Sequence, residues 1–107
     1  MNDKSTKEMK VVRDFLRHQI KLIQNDPYLP VASKYISARI VNWNRRTHSI
    51  VIVLRDERVE QTSYNSYGTR WVLVNTLNSF FWKSKIWNEL NDLVIRTEHP
   101  ELNNFPF

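Results

Sequence analysis

Few side chains in this chain are able to do covalent chemistry, and their spacing narrows what they do. The three histidines, His18, His48 and His99, fall in three separate segments. None has a second histidine at the short spacing that holds a metal ion. Cysteine is absent, which removes thiolate nucleophiles, cysteine zinc sites and disulfides together. The single glycine, Gly68, rules out a glycine-rich phosphate loop, and no Gly-x-Ser-x-Gly nucleophile elbow is present. One metal-free chemistry remains. A small ribonuclease needs an acid or base and cations to stabilise a phosphorane, and His48 with Arg45, Arg46 and Tyr64 supplies those types. An ordinary strand histidine explains His48 more simply. The expectation is a non-enzyme with no catalytic residue, no cofactor and no metal.

The cations carry a stronger signal. Lys7, Lys10, Arg13, Arg17 and Lys21 recur every three or four residues. At about 100° per residue, they lie within an arc of roughly 120° on a helix. Only Asp14 interrupts them. Such a row is suited to tracking phosphates, each neutralised phosphate releasing counterions. The plainer reading is a solvated helix face, since Lys and Arg are good helix formers. A second basic group is Trp43-Asn44-Arg45-Arg46-Thr47-His48. There Arg45 and Arg46 match phosphate or guanine bidentately, and Trp43 is a candidate for stacking on an unpaired base. The plainer reading is a polar turn with Trp43 folded onto its own sheet.

These groups sit in the basic half of the chain. Residues 1–25 hold six Lys/Arg against three acids, residues 26–55 five against one, and residues 56–107 five against seven. This asymmetry points to a polyanionic partner, DNA or RNA, or to an acidic protein. The absence of cysteine and of an apolar leader segment leads us to expect a cytoplasmic protein. No apolar run is long enough to span a bilayer, so no membrane partner is expected.

The elements that position these residues follow from periodicity. Met9, Val12, Leu16, Ile20 and Ile23 recur at helical spacing, widened by Val11, Phe15 and Leu22. Ser5-x-x-Glu8 reads as a capping box and Asn25-Asp26-Pro27 as a stop, giving a helix over 5–24. From Lys34 the period becomes two, with Ile36, Ala38 and Ile40 on one face and Ser37, Arg39, Val41 and Trp43 on the other. A polar turn at 44–47 joins this strand to a β-branched one over 48–55. Residues 58–65 read as a weak edge strand, and Gly68 as a turn residue at positive φ. Residues 70–75 read as a strand, with one long helix from 69 onward as the alternative. Phe80, Trp82, Ile86, Leu90, Leu93 and Val94 predict a final helix, closed at His99-Pro100. Phe80, Trp82 and Trp71 are expected in the core.

The sequence thus predicts a single α+β domain over 1–107, with a flexible start at 1–4 and an apolar tail at 100–107. An N-terminal amphipathic helix is followed by an antiparallel meander of three to four strands and a C-terminal helix, both helices on one face of the sheet. The leading functional expectation is a small nucleic-acid-binding protein using Lys7, Lys10, Arg13, Arg17, Lys21, Trp43, Arg45 and Arg46. The alternative is a protein-interaction module, an inhibitor of an acidic partner or a subunit of a homo-oligomer such as a homodimer. That module would use Phe81 and Trp87 at the margin of the last helix, with Phe105 and Phe107 in the tail.

Overall fold

The structure, a computed structural model, describes residues 3–59 and 68–103. Helix α1 spans Asp3–Asn25. A short 3-10 segment, Val31–Tyr35, leads into strand β1, Ile36–Asn44. Strand β2 is Ser49–Asp56, strand β3 is Thr69–Asn75, and helix α2 is Ser79–Glu98. The sheet is antiparallel in the order β1-β2-β3. Residues 69–75 are therefore strand, and the long-helix alternative falls. The predicted edge strand falls mostly outside the described residues. Its first two positions, Arg58 and Val59, lie in the turn after β2.

Period-two alternation gives the sheet one apolar and one mixed face. Ile36 on β1, Ile50, Ile52 and Leu54 on β2, and Val72 and Val74 on β3 are buried. They meet Val12, Leu16 and Ile23 of α1 and Trp82, Ile86, Leu90 and Leu93 of α2 in one core. Both helices therefore cover the same face. Phe15 of α1 and Trp82 of α2 join them edge to face, with ring centroids 5.2 Å apart.

Several expectations need correction. The helix α1 is already under way at Ser5, so its start lies before the residue read as its cap. The Glu8 carboxylate instead accepts a hydrogen bond from Thr76 Oγ1 at 2.8 Å and lies 3.4 Å from His48 Nδ1. Gly68 does not have positive φ. Its need for glycine is space, since a Cβ there would lie 2.6 Å from Val59 Cβ. The left-handed position belongs to His48, at φ 55°. Phe80 is 73% exposed and Trp71 is 67% exposed, so neither joins the core. Phe80 lies about 110° around α2 from the centre of its buried stripe, counting 100° per residue. Trp71 alternates with the buried Val72 and Val74, so it points to the face that the helices leave bare.

The buried carboxylate of Asp56 is matched. Asp56 is fully buried at the end of β2, where Arg58 donates to both carboxylate oxygens (Nε to Oδ1 at 3.2 Å, Nη2 to Oδ2 at 2.9 Å). Burial pushes the Asp56 carboxyl up. The Arg58 hydrogen bonds and charge outweigh that and hold it below the ordinary 3.8. The same bonds raise Arg58 above its usual value, and its guanidinium also covers the Tyr35 ring at 4.7 Å.

Candidate nucleic-acid interface

Helix α1 and strand β1 run antiparallel along one side of the molecule. At one end Glu8 meets His48, just past the hairpin tip. At the other, Gln24 Nε2 donates to the carbonyl of Ile36 at 3.2 Å. Between these ties lies a groove of about 570 Å³. Its floor is apolar, with Met9, Leu16 and Ile20 from α1 and Ile36, Ala38 and Ile40 from β1. Its walls carry Arg13, Arg17 and Lys21 on the helix side and Arg39 on the strand side, and no acidic residue lines it.

The strand wall also presents backbone. Tyr35 gives its carbonyl to the Glu57 amide of the neighbouring chain segment, while Ile36 turns its carbonyl outward to Gln24. Alternation then directs the amide and carbonyl groups of Ala38 and Ile40 outward as well. Strand β1 has only β2 beside it among the described residues.

The basic stripe read from the sequence is divided by the fold. All five of its residues are exposed. Arg13, Arg17 and Lys21 line the groove. Lys10 is paired with Asp14 at 3.1 Å on the outer surface. Lys7 lines a separate cleft between the starts of α1 and α2, with Lys83 and Trp82. Arg39 joins the groove although the stripe did not include it. A strand arginine pointing away from the covered face was visible in the alternation, but its nearness to α1 was not.

The hairpin tip is rigidly built. Asn44 Oδ1 accepts from the amides of Arg46 and Thr47 at 3.0 and 3.3 Å, and His48 closes the turn in its left-handed conformation. Arg45 and Arg46 are exposed at this tip. Trp43 is not. A β-bulge between Ile40 and Asn42 shifts the register, so Trp43 pairs with the buried Ile50 and turns to the covered face. Its ring packs against the core, with Nε1 buried and without a hydrogen-bond partner among the described residues.

Charge pairing separates the two halves of the chain. Arg55 pairs with Glu57, Arg58 with Asp56, Arg70 with Asp92 and Glu89, and Arg96 with Asp92. Lys83 lies over the rings of Phe15 and Trp82, and Lys85 donates to the carbonyl of Leu73. Arg13, Arg17, Lys21, Arg39, Arg45 and Arg46 have no carboxylate at ion-pair distance among the described residues.

On α2, Phe81 is largely exposed and Trp87 partly so, and Phe80 packs edge to face on Phe81. Phe105 and Phe107 lie outside the described residues, as does Tyr64. His18 is exposed on α1, and His99 lies 3.3 Å from Glu101. Among the described residues no three His, Asp or Glu side chains cluster as metal ligands. No helix among them is long and apolar enough to cross a membrane. Compared with known proteins, the chain matches no family model, no curated protein and no solved structure.

Proposed function

We propose that the chain binds nucleic acid, seating the phosphate backbone along the groove between α1 and β1. The observation that carries this reading is the acid-free lining of that groove, which holds Arg13, Arg17, Lys21 and Arg39, none of them ion-paired among the described residues. Cations elsewhere on the described chain are largely spent on carboxylates, rings and a carbonyl. The row from Arg13 to Lys21 is about 12 Å long at 1.5 Å per residue. Arg45 and Arg46 extend the positive surface at the end of β1.

The test is titration of labelled single-stranded and duplex DNA and RNA at low salt, read by fluorescence anisotropy. Binding that falls steeply with added salt is expected. Replacing Arg13, Arg17 and Lys21 with Glu abolishes it while the circular dichroism spectrum stays native. If none of the four nucleic acids binds, the reading is wrong.

A second reading has its own observation. The outward amides and carbonyls of β1 at Ala38 and Ile40 form an edge that no strand among the described residues pairs, beside the cations. An acidic protein could add an extended segment there as a fourth strand. Recovery of one acidic protein partner, with no nucleic acid bound in the titration, would favour it.

A further inference from the structure

The face of the sheet turned away from the helices carries a hollow of about 420 Å³. Three of its residues stand in one cross-strand row: Arg39 on β1, Val53 on β2 and Trp71 on β3. Strands lie about 4.8 Å apart, so Arg39 and Trp71 are about 10 Å apart across Val53. Two long side chains thus flank a short one. Val53 is only 8% exposed, so the residue between them is itself largely covered. Trp71 remains 67% exposed. Trp82 is buried and Trp43 is turned into the core, so neither offers its ring to this face.

The hollow and the groove meet at the edge strand β1. Ser37, Ala38 and Arg39 line both. A strand whose phosphates follow Arg13, Arg17 and Lys21 therefore passes Arg39 at the rim of the sheet. Its bases then have a path over that rim onto Trp71. The one carboxylate in the hollow, Glu57, is taken up by Arg55 Nη1 at 2.7 Å and by Ser37 Oγ. It does not neutralise Arg39.

We infer that Trp71 is a base-stacking platform, and that the ligand is single-stranded nucleic acid held with its phosphates in the α1–β1 groove and a base stacked on Trp71. This rests on the nucleic-acid reading above and adds strandedness and a base contact to it. Stacking tolerates any base, because every base has a π face, so the contact gives strand selection with little sequence preference. The unneutralised Arg39 at the rim of this face suits a polyanion as its occupant.

The test compares an oligo(dT) dodecamer with an abasic dodecamer of equal charge, by anisotropy at low salt. The native chain should bind oligo(dT) more tightly than the abasic strand. Trp71→Ala should lose about tenfold on oligo(dT) and nothing on the abasic strand, and Trp71→Phe should recover most of the loss. Trp71 is exposed, so these variants should fold; circular dichroism checks it. Equal affinity of Trp71→Ala and the native chain for oligo(dT) overturns the stacking role. So does a native dimer in sedimentation that Trp71→Ala converts to monomer. Equal binding of both strands by the native chain overturns stacking alone. Failure of both to bind overturns the groove reading and the stacking role together.

Discussion

If the groove holds phosphates, the salt dependence of binding should count its cations. Arg13, Arg17, Lys21 and Arg39 line it without acidic neighbours. Each cation that neutralises a phosphate of a single strand contributes about −0.7 to the slope of log affinity against log salt. Four give a slope of about −2.8. Between 50 and 200 mM salt that is a loss of roughly fiftyfold. Replacing Arg13, Arg17 and Lys21 with Gln leaves one groove cation and a slope of about −0.7, or roughly threefold over the same range. All three are exposed on α1, and glutamine is a good helix former, so stability should move by less than about 0.5 kcal/mol. The assay is anisotropy of a labelled single strand at several salt concentrations, with urea unfolding as the control. Lys10→Gln serves as the internal comparison. It belongs to the same stripe but is paired with Asp14 outside the groove, so its slope should match the native one. A triple variant with the native slope would refute the assignment of the phosphates to this groove. A change in Lys10→Gln as large as in Arg17→Gln would mean that the whole helix face attracts anions without a defined track.

Three further outcomes test the fold that carries the site. The depressed Asp56 carboxyl adds stability that is present above its ordinary value of 3.8 and lost as pH falls through the lower folded value. Arg58→Ala strands that buried carboxylate, costs about 3 kcal/mol near neutral pH, and reverses the sign, so the variant gains stability on acidification; urea midpoints across acidic pH read both. Gly68→Ala should cost about 1–3 kcal/mol by collision with Val59 rather than by backbone strain, and Val59→Gly should relieve it where Val59→Ala does not, because the nearest atom is the Val59 Cβ. At His48, φ 55° favours glycine, so His48→Gly should be about 1 kcal/mol more stable than His48→Ala in thermal unfolding, both having lost the contact with Glu8.

Most of the fold was legible because it rests on two periodicities. The apolar residues Val12, Leu16 and Ile23 repeat at helical spacing, and Ile50, Ile52 and Leu54 repeat at strand spacing, and all are buried as their periods require. The misreadings have local physical causes. The inserted residue at the β1 bulge reversed the alternation after Ile40, which carried Trp43 from the open face to the core. No feature of 40–44 announces a bulge, since Val41 and Asn42 read as an ordinary alternating pair. The sequence suggests Gly68 for its conformational freedom, whereas the structure uses its missing side chain against Val59, a neighbour set only by the tertiary fold.

The site was legible in composition and illegible in geometry. Charge counting located the basic excess before Arg55, and the structure supplies its physical meaning: the later arginines are neutralised by the acids that outnumber the cations there, while Arg13, Arg17, Arg39, Arg45 and Arg46 are left over. Five evenly spaced cations looked like one functional unit, yet they divide among three surroundings. Lys7 faces the cleft beside α2, Lys10 pairs outward, and only three residues reach the groove. Arg39 is the fourth because α1 lies antiparallel along β1, a packing relation that no single-element pattern encodes. Trp71 shows the same limit from the apolar side. Aromatic residues in a strand are commonly core, and what exposes this one is that both helices chose the opposite face. That choice leaves a tryptophan and an unneutralised arginine in one row of bare sheet, next to the groove where the other free cations gather.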